Sequence, residues 1–597
     1  MSTQLSIAER LAKVRHSMQH LDVQAFIIPH DDEHLGEYTA PADERLAWFT
    51  GFTGSAGVAV VLAEQAALFV DGRYTVQARQ QVSDEHFIHL HLIRDPFLDW
   101  LVQQLPAGSR VGIDARLHSL EWYRKAQQQL STAKISLHPL AENPIDLHWS
   151  DRPAVSVAPA RLFAETLAGE SSMSKRQRLA TQLRAQSADA LLLTQNESIN
   201  WLLNIRGTDI PALPVVSAFA ILYSNATLDL FIDPTRLDSQ FSAHVGNDVS
   251  VYPAGKLSDV LQRLGEDALK VWLDNSSCNA ACGLQLLQHG AHLLEQTDPC
   301  MLAKACKNNT ELAGMHEAHR KDAIAMCRFL AWLDNAIVDG LQSDEALLAD
   351  KLESFRLQQP GYLEASFATI SALGPNAALP HYNFRNGMPR AFGQDAVYLV
   401  DSGGHYDEGT TDITRTIQVG NASDDVRTLF TLVMKGHIAL SRAQFPKGTC
   451  GMQLDVLARL PLWQAGFNYD HGTGHGVGHV LSVHEGPQRI SPKGSTTPLE
   501  PGMVISNEPG YYREGAFGMR CENLVAVETV TTTSEIERYA FRNLTLVPFD
   551  KRLLLSELLN NDEKQWWNDY HHEVFTAIAP SLQGSDLLWL EQATAAI

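Results

Sequence analysis

Cysteines are scarce in this sequence: it has seven in 597 residues, and none in the first 155. Seven is an odd number, so a framework of paired disulfides is not expected, and a reducing compartment is favoured. Cys278 and Cys282 stand four residues apart, but no second Cys or His pair follows at zinc-finger spacing. We therefore expect neither structural disulfides nor a structural zinc site.

Long hydrophobic runs are also missing. No stretch reaches the ~18 apolar residues that a membrane-spanning helix requires. The first 20 residues form a charged, amphipathic stretch and lack the apolar centre of a secretory signal. We therefore expect a cytoplasmic protein that does not span a membrane.

Basic residues are outnumbered by acidic ones. There are 47 Lys and Arg against 69 Asp and Glu, which gives a formal net charge of −22 at pH 7. So acidic a surface repels phosphate backbones, and we expect no nucleic-acid partner, whereas metal cations suit it. The chain is too long for a single hydrophobic core, so roughly two to four domains are expected.

Two segments in the first half of the chain look like variations on one pattern. The apolar strand Ala25–Ile28 precedes Arg45–Gly51, and the apolar strand Ala190–Leu193 precedes Ser198–Gly207. Further strand patterns follow each of them, and such alternation of strands and helices predicts two α/β domains of similar build. We predict domains at residues 1–155, 156–308 and 309–597, the last beginning with a long amphipathic helix.

Aspartates follow two strand patterns in the third domain. An apolar run ends at Asp401, and alternation over Gly409–Ile417 predicts one strand with Asp412 on its polar face. These strands form a hairpin that brings Asp401 and Asp412 together. Buried like charges repel unless one is protonated or a cation lies between them. A turn-capping role for either aspartate alone stays open.

Histidines and glycines alternate over His471–Gly478, and His484 follows. Alternating glycines let the backbone approach a bound group closely. No lysine follows and the order GxGxxG is absent, which excludes a phosphate-binding loop. A glycine-rich turn with uninvolved histidines stays open.

Three further segments add polar side chains to this set. Glu508 follows the strand Met503–Ser506, and Arg520 and Glu522 are predicted to share one strand face, where an ordinary ion pair is the alternative. His381 lies in a Gly-Pro turn.

These segments together resemble the pita-bread metallopeptidases, the group that contains methionine aminopeptidase, prolidase and aminopeptidase P. The resemblance covers residues 309–597 and implies a pair of divalent metal ions. Asp401 would bind one ion, Asp412 and Glu522 would bridge both, and His475 and Glu508 would bind the other. Four carboxylates and one imidazole suit Mn(II), while zinc or cobalt is possible on affinity.

The same resemblance implies the roles of the remaining side chains. The metal pair would hold a bridging hydroxide that attacks the scissile carbonyl. His484 would contact that carbonyl, His381 would assist proton transfer, and His471 and Arg520 would bind substrate. Glu508 would also help the amine to depart by general acid catalysis.

Two α/β domains before the catalytic one further resemble the three-domain, cytosolic aminopeptidase P type, whose N-terminal domains are creatinase-like. Thr50–Gly57, Asp71–Tyr74, Lys307–Glu311 and Glu508–Tyr512 support this. The implied fold is mixed, with two α/β domains and an α+β pita-bread domain. The implied activity removes the residue that precedes a penultimate proline from short peptides, and the implied assembly is a homodimer.

Two other functions stay open. Prolidase cleaves only dipeptides that end in proline, and it carries one N-terminal domain rather than two. Pita-bread folds also occur as inactive binding modules that have lost the metal ligands, and here all five ligand positions are retained.

Overall fold

The structure, a computed structural model, describes residues 5–340, 342–386, 389–393, 397–530 and 535–597. The chain divides into two units, Met1–Glu165 with Glu170–Cys300 and Thr166–Gly169 with Met301–Ile597. Within the described ranges, no helix combines the length and the apolar character that crossing a membrane demands.

The first α/β domain is built on a six-stranded sheet. Its central strand Ala25–Pro29 is antiparallel to one neighbour and parallel to the other. Every residue of that strand is buried, as its apolar sequence predicts. In spatial order the strands are Ile88–His91, Ala66–Val70, Gly57–Leu62, Ala25–Pro29, Arg110–Ile113 and Ser136–Pro139. The main helices are Ile7–His20, Arg45–Thr50, Thr75–Gln81, Phe97–Gln104 and Leu120–Thr132.

The second α/β domain repeats that sheet with the same order and the same parallel and antiparallel pairings. The predicted duplication is therefore confirmed. Its strands are Val249–Tyr252, Leu228–Phe231, Phe219–Tyr223, Ala190–Leu193, Lys270–Leu273 and His292–Glu295. Its main helices are Ser172–Ala185, Asn196–Leu203, Leu257–Glu266 and Ala280–Gln288.

Equivalent parts of the two α/β domains meet. The N–H of Leu120 donates to the carbonyl of Cys278 over 2.9 Å, and the N–H of Ala280 donates to the carbonyl of His118 over 2.7 Å. Both contacts lie at helix starts, where Ser119 and Asn279 cap equivalent helices. This reciprocity is what a duplicated domain packed about a two-fold axis produces.

The second unit begins with the long helix Asn309–Val338. Asn308 caps it reciprocally with Glu311, so the predicted helix is confirmed. The other main helices of this unit are Glu345–Arg356, Asp424–Ser441, Gly451–Gln464, Asn561–Ile578 and Gly584–Ala593.

Several antiparallel sheets carry the polar side chains of this unit. A three-stranded sheet contains Ile370–Leu373, Val397–Ser402 and Ile413–Gln418, and another contains Tyr362–Ala365, Gly404–Tyr406 and Gly409–Thr410. A hairpin joins Gly510–Arg513 to Phe517–Arg520. A six-stranded sheet contains Gln444–Pro446, Arg538–Asn543, Asn523–Thr529, Val504–Asn507, Gly474–Gly476 and Glu485–Ile490.

The helices and sheets of this unit enclose a large apolar core. Phe329 from the long helix, Val400 beside Asp401, Met519 beside Arg520 and Trp567 from the C-terminal region all belong to it. The elements that carry the polar cluster are thus fixed by burial of their apolar neighbours.

Candidate metal centre

Asp412, His475 and Glu522 bring one metal-binding atom each to within 4.8 Å of one another. Among the described residues, this is the one group of three or more Asp, Glu, His and Cys side chains whose donor atoms lie close enough together to hold a metal ion. All three are sequence-predicted ligands.

Asp401 and Asp412 reach the site from two paired strands. Val397–Ser402 and Ile413–Gln418 are antiparallel, and Asp401 lies opposite Thr414. The prediction of one continuous strand over Gly409–Ile417 is wrong, because Gly409–Thr410 pairs in a different sheet. Asp412 lies between the two strands, where the chain passes from one sheet to the other.

His475 reaches its carboxylate neighbours because glycines flank it. A Cβ at Gly474 would overlap the carbonyl of Ser506, and one at Gly476 would overlap the carbonyl of Glu485. With this close packing, Nε2 of His475 lies 3.5 Å from Oδ2 of Asp412 and 3.6 Å from Oε1 of Glu508. The alternating glycines therefore allow neighbouring backbone segments to approach closely, and the predicted approach to a bound group stays a prediction.

Glu508 and Glu522 both lie just beyond strand ends. Glu508 follows Val504–Asn507, and its N–H donates to the carbonyl of Thr473 over 2.8 Å. The prediction that Arg520 and Glu522 share one strand is wrong: one strand ends at Arg520 and the next begins at Asn523. The break turns Glu522 toward Asp412 and His475.

Burial and mutual repulsion raise the pKa values of Asp412, Glu522 and Glu508. Burial raises the pKa of Asp412 well above its usual range, and the charges of Glu522, Asp401 and Glu508 raise it further. Burial likewise raises the pKa of Glu522 well above its usual range, with Asp401 and Glu508 adding to the shift. The pKa of Glu508 rises to about 7, chiefly through burial and against the charge of Arg520.

This electrostatic strain is what bound cations would relieve. Oδ1 of Asp401 is a second indication of a cation site, since this oxygen is buried and has no hydrogen-bond partner among the described residues. Four carboxylates, one imidazole and an orphaned buried oxygen fit divalent metal ions.

Arg520 lies against the carboxylates. Its Nη2 donates to Oδ2 of Asp401 over 2.5 Å, and its Nε lies 3.9 Å from Oε2 of Glu508. It is almost fully buried. Arg520 therefore supplies the positive charge that balances part of the cluster.

Tyr512 links Arg520 to His471, and the sequence reasoning missed it. Nη1 of Arg520 donates to the Tyr512 hydroxyl over 2.6 Å, and that hydroxyl is 2.9 Å from Nε2 of His471. Burial raises the pKa of Tyr512 to about 12 and lowers the pKa of His471 to about 3. The neutral pair therefore extends the site away from the carboxylates. In the sequence, Tyr512 was marked only by its position two residues after Pro-Gly, at the end of the segment Glu508–Tyr512.

His484 packs against the predicted ligand His475. Their ring centroids are 4.4 Å apart and their planes make an angle of 80°. His484 is half-buried.

His381 lies in the turn that follows the short helix Gly374–Ala378, and it is half-buried. The short helix before this turn packs on the strand of Arg520, because Gly518 leaves room for the carbonyl of Ala377, which a Cβ at residue 518 would overlap.

Four family models match the chain. Residues 10–143 and 151–311 each match the creatinase/prolidase N-terminal domain. Residues 313–529 match metallopeptidase family M24, and residues 537–597 match the C-terminal region of that peptidase family. Together with the folds and the donor set, these matches define a metallopeptidase with two creatinase-type domains, so the predicted fold class is confirmed.

Individual relatives match over the whole length. A probable Xaa-Pro aminopeptidase P of Botryotinia fuckeliana is 38% identical, and the match covers 98% of this chain and 92% of the relative. The structure of an X-prolyl aminopeptidase from Caenorhabditis elegans, described as a cytosolic enzyme with a di-nuclear active site, superposes with a TM-score of 0.94 at 34% identity. It covers 99% of this chain and 100% of its own. The chain therefore belongs to metallopeptidase family M24 and, within it, to the Xaa-Pro aminopeptidase P proteins.

An Xaa-Pro dipeptidase from Bacillus anthracis shares the fold alone, with 23% identity and a TM-score of 0.50. It covers 64% of this chain but 99% of its own length. A dipeptidase of that size thus leaves about one domain of this chain unmatched.

Proposed function

We propose that this protein is an Xaa-Pro aminopeptidase, which hydrolyses the bond between an N-terminal residue and a penultimate proline. One observation carries the proposal: metal-binding side chains converge in an M24 domain that follows two creatinase-type domains. Relatives with the same full-length organisation bear the name of this activity.

Two divalent metal ions would be held by Asp401, Asp412, His475, Glu508 and Glu522. When bound, such ions activate water and polarise the scissile carbonyl. Manganese suits this oxygen-rich set, and zinc or cobalt is the alternative. Metal analysis of the purified protein, with activity restored by each ion in turn after chelation, tests the choice.

The surrounding side chains would bind substrate and move protons. His484, whose ring packs against His475, would donate a hydrogen bond to the scissile carbonyl oxygen. Glu508, beside His475, would hold the proton for the departing amine. His381 would assist the proton transfer, and Arg520 would orient the substrate from beside Asp401.

Proline at the second position fits this arrangement. A peptide bond to proline has no N–H. A site that selects proline therefore needs a pocket for the pyrrolidine ring rather than a hydrogen-bond acceptor for a backbone N–H. His471, which burial keeps neutral by lowering its pKa and which is hydrogen-bonded to Tyr512, would border the proline side.

Prolidase activity is the nearest alternative, and substrate length separates the two. The proposal expects Arg-Pro-Pro to be cleaved after arginine and Gly-Pro to be a poor substrate. Exclusive turnover of dipeptides would replace the proposal with prolidase. An inactive binding module would contain less than one equivalent of metal per chain and would gain no activity on addition of Mn(II).

We also propose that the protein forms a homodimer. The helix Gly451–Gln464 exposes Met452, Val456, Leu460 and Trp463 by 42, 39, 44 and 46%, at spacings that place them on one side. A self-complementary helix face suits a two-fold interface. Trp463→Glu is expected to give monomers in sedimentation velocity, whereas the control Leu588→Glu, at a residue 59% exposed on another helix, is expected to leave dimers.

A cytoplasmic location is proposed as well, supported by the cytosolic description of the Caenorhabditis elegans enzyme. Fractionation of cells that express a tagged chain tests it.

Domain limits at 1–155, 156–308 and 309–597 complete the proposal. The family models, with limits at 10–143, 151–311 and 313–529, support them. Limited proteolysis with mass analysis of the fragments tests these limits.

A further inference from the structure

Glu345 is a fully buried carboxylate outside the metal cluster. It is the first residue of the helix Glu345–Arg356, and Asp344 rather than Glu345 caps that helix. The side chain of Glu345 is therefore free to serve another segment.

That segment is the loop that carries His381. The N–H of Leu373 donates to Oε1 of Glu345 over 2.7 Å, and the N–H of Arg390 donates to Oε2 over 2.7 Å. Residues 373 and 390 lie on either side of His381 in the sequence. One carboxylate thus closes the loop at both ends.

The middle of the loop binds the same carboxylate. The Tyr382 hydroxyl, next to His381 in the chain, donates to Oε2 over 2.7 Å. Nδ2 of Asn376 lies 3.0 Å from both carboxylate oxygens and 3.0 Å from the Tyr382 hydroxyl. The residues on both sides of His381 therefore share one anchor.

The chemistry of these bonds requires a carboxylate. Backbone N–H groups can only donate, and one of them points at each oxygen of Glu345, so both oxygens must accept. A glutamine has one oxygen and one NH₂ group, and its NH₂ would face a backbone N–H. Glu345→Gln therefore breaks the anchor at one end with almost no change in volume.

We infer that Glu345 is a positioning residue for His381: it holds the loop that carries His381 in place, and the short helix Gly374–Ala378 at the start of that loop packs on the strand of Arg520. The contact between Ala377 and Gly518 joins this loop to that strand. The inference rests on the proposed function, in which His381 assists proton transfer.

The test compares Glu345→Gln with Glu353→Gln in the full-length protein, using Arg-Pro-Pro as substrate. Glu353 is a matched control on the same helix, where it also accepts a tyrosine hydrogen bond, from Tyr362 over 2.8 Å. Glu345→Gln is expected to lower kcat by about tenfold or more, with smaller changes in KM and in metal content per chain. Glu353→Gln is expected to keep the wild-type kcat.

A double-mutant cycle with His381→Ala decides whether Glu345 acts through His381. Glu345→Gln is expected to cause little further loss in the His381→Ala background. The inference would be overturned if the kcat losses of the two single variants multiplied fully in the double variant. An unchanged kcat in Glu345→Gln, or an equal loss in Glu353→Gln, would overturn it as well. Should Glu345→Gln fail to fold, Tyr382→Phe replaces it, and an unchanged kcat in that variant overturns the inference too.

Failure of the proposed function gives a different result. A wild-type protein that binds metal but does not cleave Arg-Pro-Pro refutes the function and the inference together. A wild-type protein that cleaves it, with a fully active His381→Ala variant, keeps the function and overturns only the positioning role.

Discussion

The hydroxyl of Thr414 donates a 2.7 Å hydrogen bond to Oε2 of Glu522. The same hydroxyl accepts a 3.0 Å hydrogen bond from Nε of Arg520. All three side chains are buried. Thr414 thereby sets the orientation of Glu522 and keeps Arg520 beside the carboxylates.

Thr414→Val is expected to weaken metal binding or activity by about 10–100-fold, because it removes the group that orients a proposed ligand. Metal titration calorimetry and kcat/KM on Arg-Pro-Pro measure the change. Thr431→Val is the control, since the hydroxyl of Thr431 bonds only to backbone groups. Equal effects of the two variants would contradict the orienting role.

Glu522→Gln is expected to abolish peptide hydrolysis while the fold survives, because the variant loses a carboxylate proposed to bridge the two metal ions but keeps its volume. In metal-free protein it also removes one of several repelling charges, so the thermal midpoint is expected to stay level or rise. Activity assays and scanning calorimetry of the chelated protein check both parts. Full activity would refute the paired-metal assignment.

The metal-free protein is expected to lose stability as the pH rises from about 4.3, the ordinary glutamate value, to about 7. The raised pKa values of Glu508, Glu522 and Asp412 mean that the folded state binds more protons than the unfolded chain, so the free energy of unfolding falls with rising pH. Urea unfolding of chelated protein at several pH values measures the slope.

Glu508→Gln provides the comparison for that slope. The variant is expected to lose stability less steeply over the same pH range, because one titrating carboxyl is gone. Saturating metal is expected to raise stability most at high pH, where the ligands are ionised. A slope that is identical in both chelated proteins would contradict the prediction for Glu508.

A buried ion triad lies next to His484. Nζ of Lys304 is 2.8 Å from Oε2 of Glu485, and Nζ of Lys307 donates to Oε1 over 2.5 Å. Burial opposes the ionised form of Glu485, but the two lysines outweigh it and lower its pKa. Glu485→Gln leaves two buried ammonium groups and is expected to cost about 3–5 kcal/mol in the free energy of unfolding.

Lys304→Met is expected to cost less than Glu485→Gln, because it leaves a neutral buried pair of Lys307 with Glu485. Chemical denaturation of the three proteins gives the comparison. A larger loss for Lys304→Met would show that packing, rather than charge, dominates at this position.

Several features of the fold could be predicted because they rest on local patterns. The apolar strand Ala25–Pro29, the strand Ala190–Leu193 and the capped helix Asn309–Val338 follow from residue type and spacing. The strand breaks at Asp412 and Glu522 could not be predicted in the same way. Alternation continues through both residues, and the strands end there only because their two halves pair in different sheets.

The candidate site likewise contains residues that the sequence predicted and residues that it did not. Asp401, Asp412, His475, Glu508 and Glu522 were predictable as a set from their order and their resemblance to a family, and their roles remain predictions. Tyr512 lies at the end of the segment Glu508–Tyr512 that supports the resemblance, but no role was predicted for it, and Glu345 carried no such signal. Their importance lies in hydrogen bonds to residues distant in the chain, such as Tyr512 with His471 and Glu345 with Leu373.

The sequence by itself determined which side chains are available for metal binding, and that two similar α/β domains precede them, because residue type and short-range periodicity are properties of the chain. Only the tertiary structure decided that burial would crowd four carboxylates around His475, with Arg520 as partial balance. That outcome depends on long-range packing, which sets desolvation and the distances between charges, and no local pattern contains either quantity.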